Sequence, residues 1–188
     1  MNIRSFLVDT NILSEIEKPR PNPAITEWAQ RKPTLILSYP VVLEIRWGIR
    51  SLERTNPDRA ESLQNWLDAA VAAAGDTMPA LTPAVAELQA TMMEVPRLTH
   101  LWLNNPSRRR RPPGQDLCIA AIAIEYHLPI ATLNTRDFIE INGLFPLPGV
   151  FNPATRKWAV QWVPHARRRL GLGTIEAAAN FDPSELVI

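Results

Sequence analysis

The segment that most constrains the fold is residues 3–16, IRSFLVDTNILSEI. Phe6, Leu7 and Val8 form an uninterrupted apolar run, too short for a helix and suited to a strand buried on both faces. The run breaks at Asp9, Thr10 and Asn11, side chains that favour a helix N-terminus over a strand interior. Ile12, Leu13 and Ile16 then recur at helical spacing. A buried strand, a polar turn and a helix make the first half of a βαβ unit. In open α/β sheets ligands sit at the carboxyl ends of the strands, which is where Asp9 falls. The same polar residues also read as a plain helix cap, worth about 1 kcal/mol. The rest of the chain has to decide between cap and site.

The 188 residues suit one domain with an appended segment, and an apolar fraction of 46% is enough for a proper core. Net charge is +1, so no global field favours nucleic acid and any basic site must be local. The single cysteine, Cys118, excludes an intramolecular disulfide framework and suits a reducing compartment. No basic leader precedes a long apolar core, and no stretch is apolar for long enough to span a bilayer. The expectation is a soluble, cytoplasmic protein with no membrane partner.

The 18 prolines cluster and mark the loops. Pro19, Pro21 and Pro23 separate the first helix from a second carrying Ile25, Trp28 and Ala29. Residues 34–38 (TLILS) predict a second strand, and Pro40 opens a helix running to residue 52. Within it Glu44 interrupts the apolar segment VVLEIRWGI. Such a charge needs an exposed face or a partner, for which Arg46 and Arg50 are candidates. A helix over 57–74 follows, then a short third strand at 78–81, then a helix capped by Thr82-Pro83 and ended by Pro96.

Residues 104–114 (NNPSRRRRPPG) are a loop whose Arg108, Arg109, Arg110 and Arg111 read either as a solvated charge run or as a phosphate-contacting patch. No aromatic is interleaved, so base stacking there has no support. Residues 115–127 predict a strongly apolar helix with Asp116 at its start and Cys118 as a small core residue. Residues 129–133 (PIATL) are the next strand, followed by the polar turn Asn134, Thr135, Arg136, Asp137, which repeats the pattern at Asp9. Residues 145–151 predict a final edge strand. From Asn152 the character changes to a Trp-rich piece, a basic run at 167–169 and an acidic end.

Asp9 and Asp137 follow strands, Asp116 opens a helix, and Glu44 lies in the helix after the second strand. If the strands are parallel, these acids converge over one edge of the sheet. Gathered carboxylates repel one another and gain proton affinity unless a cation is bound. A hard divalent ion such as Mg²⁺ takes oxygen ligands of this kind, and around it the natural chemistry is metal-assisted hydrolysis of a phosphodiester.

The ordered set LVDTNILSE, VVLEIRWG, QDLCIAAIA, ATLNTRDF and a closing FNP resembles the PIN-domain ribonucleases of the VapC toxin type, over roughly residues 1–153. The resemblance implies an α/β three-layer sandwich with a mostly parallel, about five-stranded sheet between helices. It implies a Mg²⁺- or Mn²⁺-dependent endoribonuclease with an RNA substrate, a cognate antitoxin that blocks the site, and a homodimer. Carried over by position, Asp9, Glu44 and Asp116 match the family's metal-binding acids and Asn11 its supporting amide. Asp137 matches the fourth catalytic acid. Asn134 is a supporting amide where many relatives carry an acid, a departure that bears on a second metal. Residues 1–153 would be the nuclease domain and 154–188 an extension dispensable for the core fold. Trp158 and Trp162, at i and i+4, suggest that this extension docks on an apolar surface.

Three other readings stand beside this one. A phosphatase using Asp9 as nucleophile would need a second aspartate two residues on, where this chain has Asn11, and a later lysine. The lysines are only Lys18, Lys32 and Lys157. An RNA-processing PIN nuclease outside a toxin–antitoxin pair shares the chemistry. A catalytically silent PIN-like module that binds RNA or protein would leave the acids unused.

Overall fold

A computed structural model describes residues 5–31, 33–103 and 114–163. The arginine run at 108–111 and the chain from 164 onward lie outside the described residues. Strand β1 (Ser5–Val8) buries Phe6, Leu7 and Val8, as a strand covered on both faces must. It leads through Asp9 into α1 (Thr10–Ile16), and α2 (Pro23–Gln30) follows, capped by the Asn22 side chain. Strand β2 (Thr34–Ile36) precedes α3 (Tyr39–Leu52), whose first turn accommodates Pro40. The long α4 (Pro57–Ala74) is capped by Asn56, and α5 (Pro83–Met93) by Thr82.

The remaining elements are α6 (Asp116–Glu125), β3 (Ile130–Ala131), α7 (Thr135–Asn142), β4 (Val150–Asn152) and β5 (Lys157–Val160). The five strands lie in the order β2-β1-β3-β4-β5. The first four are parallel, with Leu7 beside both Ile36 and Ile130, and Ile130 beside Val150. Helices surround the sheet, giving the α/β, mostly parallel, five-stranded architecture expected. Helix α6 buries every residue from Leu117 to Ala123, because it is apolar on all sides and packs against α5, α7 and α3. Cys118 is one of these core residues, and burial pushes its thiol up to about 11, far from any nucleophilic role.

Two strand expectations need correction. Residues 78–81 are not a strand; a 3₁₀ turn at Gly75–Thr77 precedes them. Pro79 lacks an N–H for a ladder, Leu81 is exposed, and the Ala80 carbonyl is taken by Tyr126 Oη at 3.0 Å. The segment at 145–151 supplies a strand only from Val150, since Pro146 and Pro148 keep its first part out of the ladder. That strand is also interior. The edge belongs to β5, which returns antiparallel with Trp158 opposite Phe151.

The sheet therefore runs past residue 153. The FNP segment is a hairpin turn: Asn152 Oδ1 accepts from the amides of Ala154 (3.0 Å) and Thr155 (3.2 Å), and Arg156 adopts φ 56°. Trp158 sits in a strand, not a helix, and its ring packs 5.1 Å from Phe151 and 6.0 Å from Phe6, with Trp28 of α2 joining the same cluster. Gly149 is required by this closure, because a Cβ there would lie 2.9 Å from the Trp158 ring and 3.1 Å from Trp162 Cα. Arg156 pairs with Glu27 and ties the hairpin to α2.

Candidate functional site

Asp9 is the first residue past β1 and the N-cap of α1, with extended backbone at φ −83° and ψ 152°. It is buried, and its side chain makes no capping hydrogen bond. The amides of Thr10 and Asn11 lie near enough to oppose a rise in its pKa without reaching capping geometry. Its carboxylate is instead held from the neighbouring strand. Thr132 Oγ1 donates to Asp9 Oδ2 at 2.6 Å, and Asn11 Nδ2 donates to the same oxygen at 2.5 Å. Asn11 is fixed in turn by Leu133 N–H, which donates to its Oδ1 at 3.0 Å. Burial raises the Asp9 pKa above the ordinary carboxylate value, and the Thr132 hydrogen bond is the largest opposing influence.

Glu44, half-buried in α3, pairs with neither of the arginines suggested for it. Arg46 bonds Asp68 at 2.6 Å and Arg50 bonds Glu53 at 2.7 Å. Thr10 Oγ1 and the Gln115 amide donate to Glu44, so the turn after β1 and the start of α6 both converge on it. Burial raises its pKa, and the nearby Asp9 charge raises it further.

Asp116 opens α6, and its carboxyl too is raised above the ordinary value. Burial, then the charges of Asp9, Asp137 and Glu44, then a hydrogen bond shared with Asp137 push its carboxyl up to about 8. Every charged neighbour in that account is itself an acid. Asp137, in the first turn of α7, is oriented by Asn134 Nδ2, which donates to its Oδ2 at 2.6 Å. Asn134 N–H donates to Thr132 Oγ1 at 2.9 Å and joins the two halves of the network.

The structure thus brings Asp9, Glu44, Asp116 and Asp137 together, with Asn11 and Asn134 as their amide supports. Arg108 to Arg111 fall outside the described residues. Among the described residues no three of these acids already close on a common point. They act on one another's charge from four separate elements. The donor set, all oxygen and short of cations, matches what a hard divalent ion takes. Sequence reasoning missed Thr10 and Thr132. The signal for Thr132 was present, since it ends β3 at the offset at which Asp9 ends β1, as a polar residue after an apolar pair. A cavity of about 270 Å³ adjoins Glu44 and Thr10, floored by Ile45, Ile49, Leu63 and Trp66 between α1, α3 and α4.

A mostly parallel sheet with acids gathered at its strands' carboxyl ends is an α/β domain with its carboxylates where such folds place ligands. The PIN domain family model matches residues 6–144, most of the chain, and the chain belongs to the PIN domain family. It is 30% identical over 142 residues to the VapC ribonuclease Y4jK of Sinorhizobium fredii, covering 74% of this chain and 93% of that protein. Over 67 residues it is 31% identical to ribonuclease VapC14 of Mycobacterium tuberculosis, a match spanning 34% of this chain and 64% of that protein, just under two thirds. The crystal structure of FitAcB from Neisseria gonorrhoeae superposes with a TM-score of 0.57 at 25% identity, covering 79% of this chain and 97% of that one. Among the described residues, no helix is long and apolar enough to cross a membrane.

Proposed function

We propose that this protein is a divalent-metal-dependent endoribonuclease and the toxin of a toxin–antitoxin pair, held inactive in the cytoplasm by a cognate antitoxin. The observation that carries the chemistry is the Asp116 carboxyl, raised to about 8 by burial and by three acids drawn from three other elements. Such an arrangement is unfavourable alone and becomes favourable with a bound cation. The names of the VapC ribonuclease relatives support the RNA substrate, and the toxin role rests on the resemblance to the VapC type.

Asp9, Glu44 and Asp116 would hold Mg²⁺ or Mn²⁺, which when bound activates water and neutralises charge on the phosphodiester. Asn11 and Thr132 fix the Asp9 carboxylate, and Thr10 fixes Glu44. Asp137, oriented by Asn134, would take a proton from water as its oxygen bonds to phosphorus and the P–O bond to the leaving ribose oxygen breaks. Arg108 to Arg111 precede Asp116 closely in the chain and would add phosphate contacts. The functional unit is a homodimer, as the family resemblance implies.

The test is cleavage of a defined RNA by the purified protein in Mg²⁺, in Mn²⁺ and in EDTA. Cleavage in either metal that stops in chelator supports the reading, and metal-independent cleavage or none refutes it. Co-expression with a cognate antitoxin should suppress cleavage.

A further inference from the structure

At the carboxyl edge of the sheet three side chains stand at one level. Leu7 pairs with Ile36 on one side and Ile130 on the other. Carried two residues further, the β1–β3 register sets Asp9 opposite Thr132, and the same extension of the β1–β2 register sets it opposite Ser38. On the β3 side the ladder persists here, since Asp9 N–H donates to Ala131 O and Thr132 N–H to Phe151 O, each at 3.0 Å. Ser38, like Asp9, has extended backbone (φ −137°, ψ 158°). Residues at one level of a parallel ladder present their side chains to the same face. On the β3 side this is visible, because the Thr132 hydroxyl bonds Asp9 at 2.6 Å.

Ser38 is the counterpart on the β2 side, and its hydroxyl is anomalous. It is 0% exposed and has no hydrogen-bond partner among the described residues. Serine at an N-cap ordinarily accepts from the helix amides. Ser38 is the N-cap of α3, the helix carrying Glu44, yet its side chain makes no such bond. A buried hydroxyl without a partner is rare enough to require a reason.

We propose that Ser38 is a positioning residue for Asp9, its Oγ–H being the donor that fixes the Asp9 carboxylate once that carboxylate holds a divalent cation. The inference rests on the metal-dependent reading above. Thr132 and Asn11 both donate to one Asp9 oxygen, Oδ2. Ser38 lies on the opposite side of Asp9 from Thr132 with its hydroxyl hydrogen uncommitted among the described residues. The Thr132 and Ser38 hydroxyls would then flank Asp9 from its two neighbouring strands.

The experiment compares the parent with Ser38→Ala by Mn²⁺ titration, read by electron paramagnetic resonance, alongside thermal denaturation in EDTA. Partners that orient a metal ligand typically contribute tenfold or more to affinity. Ser38→Ala should weaken Mn²⁺ binding about tenfold, while Tm in EDTA holds or rises, because only an unpaired hydroxyl is lost. Ser38→Thr, which keeps a hydroxyl, should restore much of the affinity. Unchanged Mn²⁺ affinity in Ser38→Ala overturns the proposal, and so does a fall in Tm in EDTA without a loss of affinity. A parent that binds no Mn²⁺ overturns the metal-dependent reading itself, an outcome distinct from a parent and variant that bind alike.

Discussion

Replacing Asp116 with asparagine should stabilise the ion-free protein at neutral pH. The Asp116 carboxyl stands at about 8 in the fold against an ordinary value of 3.8. The folded state therefore binds this proton more tightly than the unfolded chain, and stability falls as pH rises between those values. At 1.36 kcal/mol per pH unit the ceiling of that loss at pH 7 is about 4 kcal/mol. Asp116 is only half-buried, and solvent screening reduces the figure to about 2 kcal/mol. For a domain of this size that corresponds to about 4–8 °C in Tm. Thermal denaturation in EDTA from pH 5 to pH 8.5 reads it directly. The parent should lose stability across the range, and Asp116→Asn should lose much less. Adding Mg²⁺ should raise Tm for the parent and barely for the variant. A parent whose Tm in EDTA is flat or rises over that range, or a variant no more stable at pH 8, would refute the crowding argument.

Trp158→Ala should destabilise by about 2–4 kcal/mol in urea titrations, because it empties the ring cluster with Phe6, Trp28 and Phe151 that seats β5. A chain ending at Pro153 should be less stable still, and equal stability would make β5 an ornament. Thr132→Val leaves Asp9 Oδ2 without its strand-to-strand donor and should cost about 1–3 kcal/mol by the same titration. Replacing Arg108 to Arg111 with serine should weaken RNA binding and lower the slope of log K against log salt by up to about 3. An unchanged slope would return that run to a solvated loop.

The βα turn at Asp9 was legible because three local signals coincide there: a short apolar run, an abrupt polar break and helical spacing. Glu44 stood out as a charge in an apolar helix, Asp116 as an acid at a helix start, and Asp137 as an acid in the polar turn after a strand. Their convergence depended only on the strands being parallel. Strand β5 was not legible. Trp158 and Trp162 fit helical spacing as well as any other, and what makes Lys157–Val160 a strand is pairing with β4 across the Asn152 turn. The hydroxyls were hidden for a related reason. Thr132 lies 123 residues from Asp9 in the chain, and nothing in its own neighbourhood tells that the two share a sheet edge. Local patterning predicts elements; which polar side chains face one another depends on strand order.

The most direct test of the site is RNA cleavage by Asp9→Asn in Mg²⁺, with folding checked by circular dichroism. Asparagine caps a helix about as well as aspartate, so a carboxylate serving only as a cap could be exchanged without consequence. A carboxylate holding the cation could not, because the amide keeps the shape and removes the charge. The account predicts a folded Asp9→Asn protein whose cleavage rate falls by at least about a hundredfold. A folded variant that cuts RNA at the parent rate would contradict it.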